Sequence, residues 1–184
     1  MNLILGRINI ITGVRDVGKT SFCLDLIEKM KNKNILVDGL ISPGKFVGNK
    51  KVGIDVRRIS NGISTKLAVY SPGWDSEKPK RVWKINKEAI EWGNHAIENI
   101  KPCDVFIIDE MGFLEFEKKM GWISAFQFLE KNIFKIAFIV VRPELVESAL
   151  CKWKGSKVIK LTPSDNRKEI EKSILYQIEK MSAK

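Results

Sequence analysis

Hydrophobic positions along the chain follow two rhythms. Short apolar runs at residues 8–12, 35–41, 105–109, 136–141 and 157–161 read as strands. A buried parallel strand is nearly continuous in this way, because helices cover both its faces. Between these runs, apolar residues recur at three- and four-residue spacing over 18–32, 87–100, 123–132, 144–151 and 165–181. That spacing gathers them on one face of a helix. Within 87–100 the face is Ala89, Ile90, Gly93, Ala96, Ile97 and Ile100, and Pro102 ends it. Strands alternating with helices predict an α/β fold: a mostly parallel sheet covered by helices on both faces.

Residues 43–87 interrupt the alternation. Strand-like runs at 52–59 and 65–70 flank Ser60-Asn61-Gly62, and residues 81–85 form a third. Asn-Gly between such runs is a strong hairpin signal. The expectation is a single domain spanning 1–184, with an antiparallel β insertion at about 43–87. The 184 residues suffice for one sizeable core.

Charge sharpens the picture of the insertion. The chain carries a net +10, and eleven Lys/Arg against three acids lie between Pro43 and Lys87. Such density suits a polyanion, so nucleic acid is one partner the segment can take. A lysine-rich solvated hairpin is the plainer account. Trp74 and Trp83 in the same stretch can stack on a base, though core packing explains them as well. Elsewhere, 44% hydrophobic and 29% charged residues are ordinary for a globular protein. No apolar run approaches the ~18 residues of a membrane span, and the first residues lack a signal-peptide pattern. Cys23, Cys103 and Cys151 are widely spaced and His95 is the only histidine. Zinc and disulfides are therefore not expected, the cysteines read as small buried hydrophobes, and a reducing cytoplasm is the expected location.

The chemistry gathers at two places. Gly13-Val14-Arg15-Asp16-Val17-Gly18-Lys19-Thr20 spells G-x-x-x-x-G-K-T between the 8–12 strand and a helix opening at Ser21. Glycine lets the backbone turn so that the N–H groups of residues 13–21 face phosphate oxygens, and the new helix adds its positive end. Lys19 reaches the β/γ-phosphates and the Thr20 hydroxyl holds Mg²⁺. The second place is the end of the 105–109 strand, where Asp109 is set to hold Mg²⁺ directly or through water. Glu110 points to the opposite side and can take a proton from an attacking water. Arg142, just after the 136–141 strand, offers a positive charge at the same sheet edge. Arg167 reads as a cap of the last helix.

With both motifs placed, the chain resembles the small P-loop nucleoside-triphosphatases, a family known from thermophiles and, in animals, as cancer-related nucleoside triphosphatase. The resemblance rests on four further stretches, in order along most of the chain: Asp38-Gly-Leu-Ile-Ser-Pro43, Lys51-Val-Gly-Ile-Asp55, Asp109-Glu-Met-Gly-Phe-Leu-Glu115 and Thr162-Pro-Ser-Asp-Asn-Arg167. Two departures stand out. Arg15-Asp16 replaces the Pro-Gly usual in the family's loop, and Lys51 stands where an arginine is common. The resemblance implies Mg²⁺-dependent hydrolysis of ATP, GTP and other nucleoside triphosphates, with Glu115 as a second active-site acid.

Three other readings share the phosphate loop. Asp109-Glu-Met-Gly112 fits the D-x-x-G of GTPase switches, but no N/T-K-x-D follows to read guanine. A nucleoside or nucleotide kinase would use the insertion as an acceptor lid, although a glutamate directly after Asp109 suits activation of water better. In the third, a nucleic-acid-associated ATP-binding module, residues 43–87 are the contact surface.

Overall fold

The structure, a computed structural model, describes residues 6–72 and 81–182. Strand β1 (Ile8–Thr12) leads through the phosphate-loop segment into helix α1 (Lys19–Asn32) and returns as β2 (Val37–Ile41). The insertion follows as β3 (Gly44–Val47), β4 (Lys50–Arg58), β5 (Ser64–Pro72) and β6 (Arg81–Ile85). Helix α2 (Lys87–Glu98) starts at Asn86, whose side chain caps the Glu88 N–H. Then come β7 (Cys103–Met111), the one-turn α3 (Phe113–Phe116), α4 (Ile123–Lys131) and β8 (Phe134–Val141). A 3₁₀ turn (Pro143–Leu145), α5 (Val146–Lys152), β9 (Lys157–Lys160) and α6 (Arg167–Ser182) complete the chain.

Among the described residues, all nine strands join one sheet, in the order β6-β5-β4-β2-β7-β8-β1-β9, with β3 paired to β4. β2, β7, β8, β1 and β9 are mutually parallel, whereas the insertion adds antiparallel strands beyond β2. The alternating-helix expectation therefore holds for the parallel part. Successive strand residues feed opposite layers. Phe106 and Ile108 pack with α2, α4 and α5, while Val105 and Ile107 pack with α1 and α6. Both faces of the parallel strands are thus covered, which is why those runs read as continuously apolar.

The insertion is tied down at its base. Arg58 pairs with the buried Asp38 of β2, Nη2 to Oδ2 at 2.9 Å, and also donates to the Asn99 carbonyl. Lys45 pairs with Asp55 at 2.9 Å, and Lys51 sits over the Trp83 ring. Part of the predicted basic excess is therefore paired with acids, Arg58 with Asp38 within the fold and Lys45 with Asp55 at its surface. Trp83 also meets Tyr70 edge-on and Trp92 packs against the core, whereas Trp74, Lys78 and Lys80 lie outside the described residues. The Asn61-Gly62 signal marks the β4–β5 connection, but as a wider loop closed by Arg58 N–H on the Ile63 carbonyl. β3 is a strand the hydrophobic pattern does not announce, because Lys45, Phe46 and Val47 are all exposed. The cysteines meet the expectation of burial only in part: Cys23 is buried, Cys103 is half-buried and Cys151 is exposed, and all three are free.

Candidate active site

β1 ends at the carboxyl edge of the sheet, and the next six residues form a tight loop into α1. Gly13 has φ +153°, and a Cβ there would lie 2.5 Å from the Leu161 carbonyl oxygen, so only glycine fits. Gly18 caps α1 in the left-handed region at φ +90°, and nothing lies within 4 Å of where its Cβ would stand. The space beside it matches a cradle for a phosphate. No side chain caps α1 and its first turn holds no acid, so its amides and dipole are presented to an anion. Lys19 arches back over the loop, its Nζ donating to the carbonyls of Gly13 (2.9 Å) and Val14 (3.2 Å).

Asp16 occupies the position where the resembling family has glycine, and its φ of 62° shows why. Aspartate is one of the few side chains that visits this region at modest cost. Its carboxylate is exposed beside Arg15, at 3.7 Å. Because a negative charge on this loop opposes a polyphosphate, Asp16→Gly is expected to tighten ATP binding roughly fivefold at low ionic strength, and less in high salt. Titrations at two salt concentrations check this.

Asp109 lies on β7, between β2 and β8 in the sheet, and beside α1's first turn in space. It is 2% exposed, accepts the Ser42 N–H at 3.4 Å, and lies close enough to the Thr20 hydroxyl for that group to lower its pKa. The Ser42 hydroxyl donates to the Asp109 carbonyl at 2.6 Å. Burial first, then the Glu110 charge, raise the Asp109 carboxyl to about 6, against the lowering effects of Thr20, Ser42 and Lys19. A buried carboxylate with a hydroxyl beside it is a hard-oxygen donor set, which fits Mg²⁺. In metal-free protein this group favours folding fully below its unfolded value of 3.8, and that contribution is lost as pH rises through about 6. Asp109→Asn is therefore expected to stabilise the EDTA-treated protein by ~1–3 kcal/mol at pH 7, with a flatter pH dependence between 4 and 6, measured by urea unfolding.

Glu110, the next residue, is partly exposed where Asp109 is buried. The β7–β8 register shifts between Ile108 and Met111, an irregularity that re-aims both carboxylates at the strand end. Arg142, directly after β8, meets Glu110 through Nε at 2.6 Å, with both side chains partly exposed. Glu115 sits differently. It is buried, and its two oxygens accept from the Gly112 N–H (2.7 Å) and the Trp122 N–H (2.9 Å). Burial raises its carboxyl above the usual range while these amides pull it down. The carboxylate pins the loop that follows β7, and Gly121, at φ +72°, gives it room. Cys23, one turn along α1, is buried, and that burial raises its thiol well above the ordinary value.

The loop, the buried acid and its partly exposed neighbour thus share one sheet edge. A sequence profile described as NTPase matches residues 8–175. The chain belongs to the NTPase family. Among its relatives, the nucleoside-triphosphatase THEP1 of Methanocaldococcus jannaschii is 33% identical over 110 residues, which span 59% of this chain and 64% of that protein. The THEP1 of Pyrobaculum aerophilum matches at 31% identity over 60% of its own length, so these two matches span under two thirds of the relatives. The THEP1 of Pyrococcus abyssi aligns over 93% of this NTPase-family chain and 92% of its own, at 26% identity. Two solved structures share the fold: a human cancer-related nucleoside triphosphatase (TM-score 0.71, 22% identity, 94% of this chain and 97% of that one) and THEP1 from Aquifex aeolicus (0.64, 21%, 94% and 99%).

Of the sequence-predicted residues, the fold brings Lys19, Thr20 and Asp109 together, and joins Glu110 to Arg142 as a pair. Sequence reasoning missed Ser42, whose signal was its place at the carboxyl end of β2, in the quoted Asp38–Pro43 stretch.

Proposed function

We propose that this protein hydrolyses nucleoside triphosphates, ATP and GTP among them, to diphosphate and phosphate, with Mg²⁺ as cofactor. The observation that carries the reading is the buried Asp109, beside Thr20 at the foot of the phosphate loop, with Glu110 next to it at the solvent edge. The backbone amides from Gly13 to Ser21 bind the phosphates, and Lys19 exchanges the Gly13 and Val14 carbonyls for β/γ-phosphate oxygens. Thr20 and Asp109 would hold Mg²⁺, whose charge would offset the negative charge of the phosphates. Glu110 orients the attacking water in line and accepts its proton. Arg142 keeps the Glu110 carboxylate in one orientation through Nε; its other N–H donors can meet the γ-phosphoryl oxygens as charge develops there. Glu115 acts by fixing the 112–122 loop, not by moving a proton. All three cysteines are free, which supports a reducing cytoplasm as the location.

Phosphate release from ATP in Mg²⁺ buffer, with no acceptor present, tests the reading. Release is expected, and EDTA is expected to stop it. No free phosphate without an acceptor, and transfer of the γ-phosphoryl group to an added nucleoside or nucleotide with ADP formed, would establish a kinase instead.

A further inference from the structure

Arg167 is the first residue of α6, a place where a cation is disfavoured because the helix dipole is positive there. Its contacts supply the reason for it. Nη2 donates to the Val17 carbonyl of the phosphate loop at 3.2 Å and to the Thr162 carbonyl at 2.9 Å. It therefore reaches back onto the loop, and the cap expected from sequence is not its role. The turn before α6 is itself braced: Asp165 accepts the Thr162 N–H (2.6 Å) and hydroxyl (2.9 Å) and lies 3.8 Å from Arg167 Nη1. The same turn holds the other end of the loop, since the Leu161 N–H donates to the Thr12 carbonyl at 2.7 Å.

The bond to Val17 has a geometric consequence. In a planar trans peptide the C=O and the following N–H point in opposite directions. The Val17–Gly18 bond is trans, so fixing the Val17 oxygen toward Arg167 turns the Gly18 N–H away from the β9–α6 turn. We propose that Arg167 is a positioning residue: by clamping the Val17 carbonyl it aims the Gly18 N–H at a phosphate oxygen of the nucleotide. The proposal rests on the nucleotide-binding reading above. It assigns Arg167 no contact with the substrate. An amide that must first be turned toward its ligand gives up part of the binding free energy to that rearrangement, so losing the clamp weakens every nucleotide that uses the amide.

The test compares Arg167→Ala, Arg167→Gln and Arg167→Lys with the wild type. Calorimetry with Mg²⁺ and either ATP or ADP gives affinities, and the Gly18 amide ¹H–¹⁵N resonance reports the hydrogen bond directly. Loss of a charge-assisted bond of this kind predicts ATP and ADP affinity falling together, by at least about tenfold, in the Ala and Gln variants. The shift of the Gly18 resonance on adding ADP should shrink with it, and Lys should recover part of both. Should the Ala variant not fold, the Gln variant, closer in size, supplies the comparison. Wild-type affinity and an unchanged Gly18 shift in the variants would overturn the proposal while leaving the site reading intact. Loss confined to ATP would overturn it too, by making Arg167 a γ-phosphate ligand. A wild type that binds neither nucleotide would take both readings down.

Discussion

Glu110→Gln is expected to lower phosphate release at saturating ATP by at least ~10², with ATP affinity within about twofold of wild type. Glutamine keeps the length of the side chain and an oxygen for the Arg142 Nε–H, so the arrangement at the end of β7 survives. What it lacks is a lone pair basic enough to accept a proton from water. The Glu110–Arg142 pair is partly exposed, with side chains 32% and 49% accessible, so losing its charge should barely affect stability. A fall in kcat with unchanged affinity separates loss of a base from loss of a ligand. Wild-type turnover in this variant would remove Glu110 from the mechanism and leave Arg142 without its proposed partner in catalysis.

Lys19→Ala should act on both steps. Its ammonium closes the loop onto the Gly13 and Val14 carbonyls and supplies the point charge nearest the β/γ-phosphates. Removing it is expected to weaken ATP binding by ~10² and to reduce turnover by at least as much, since the same charge counts for more in the transition state. Lys19→Arg is not a rescue, because a planar fork cannot occupy the site of a compact ammonium in a loop this tight. Titration calorimetry and steady-state kinetics on the same preparations give both numbers.

The contrast between these two residues and Glu115 shows how far a sequence carries. Lys19, Thr20 and Asp109 were legible because their chemistry is local: a loop of fixed length opens a helix, and an acid follows a buried strand. The continuous apolar runs of β7 and β8 likewise announced a sheet covered on both sides. Glu115 has the same motif-borne visibility, but its role depends on where the 112–122 loop folds. There two backbone amides, Gly112 and Trp122, take up its oxygens. No spacing rule foretells that. Arg167 was hidden for a similar reason: its partner, Val17, is 150 residues away. The insertion was readable as antiparallel from Asn61-Gly62, yet its charge was misleading when simply counted. Arg58 and Lys45 face Asp38 and Asp55, so part of the basic excess holds the segment to the sheet. β3 escaped notice because a short strand exposed along most of its length leaves no apolar rhythm.

The claim beneath all of this is that the loop after β1 recognises the triphosphate tail rather than the base. A competition titration tests it most directly: ATP and Mg²⁺ are bound first, then inorganic tripolyphosphate or adenosine is added in separate runs. The account predicts displacement of ATP by tripolyphosphate and none by adenosine at the same concentration. Displacement by adenosine with no effect of tripolyphosphate would contradict it.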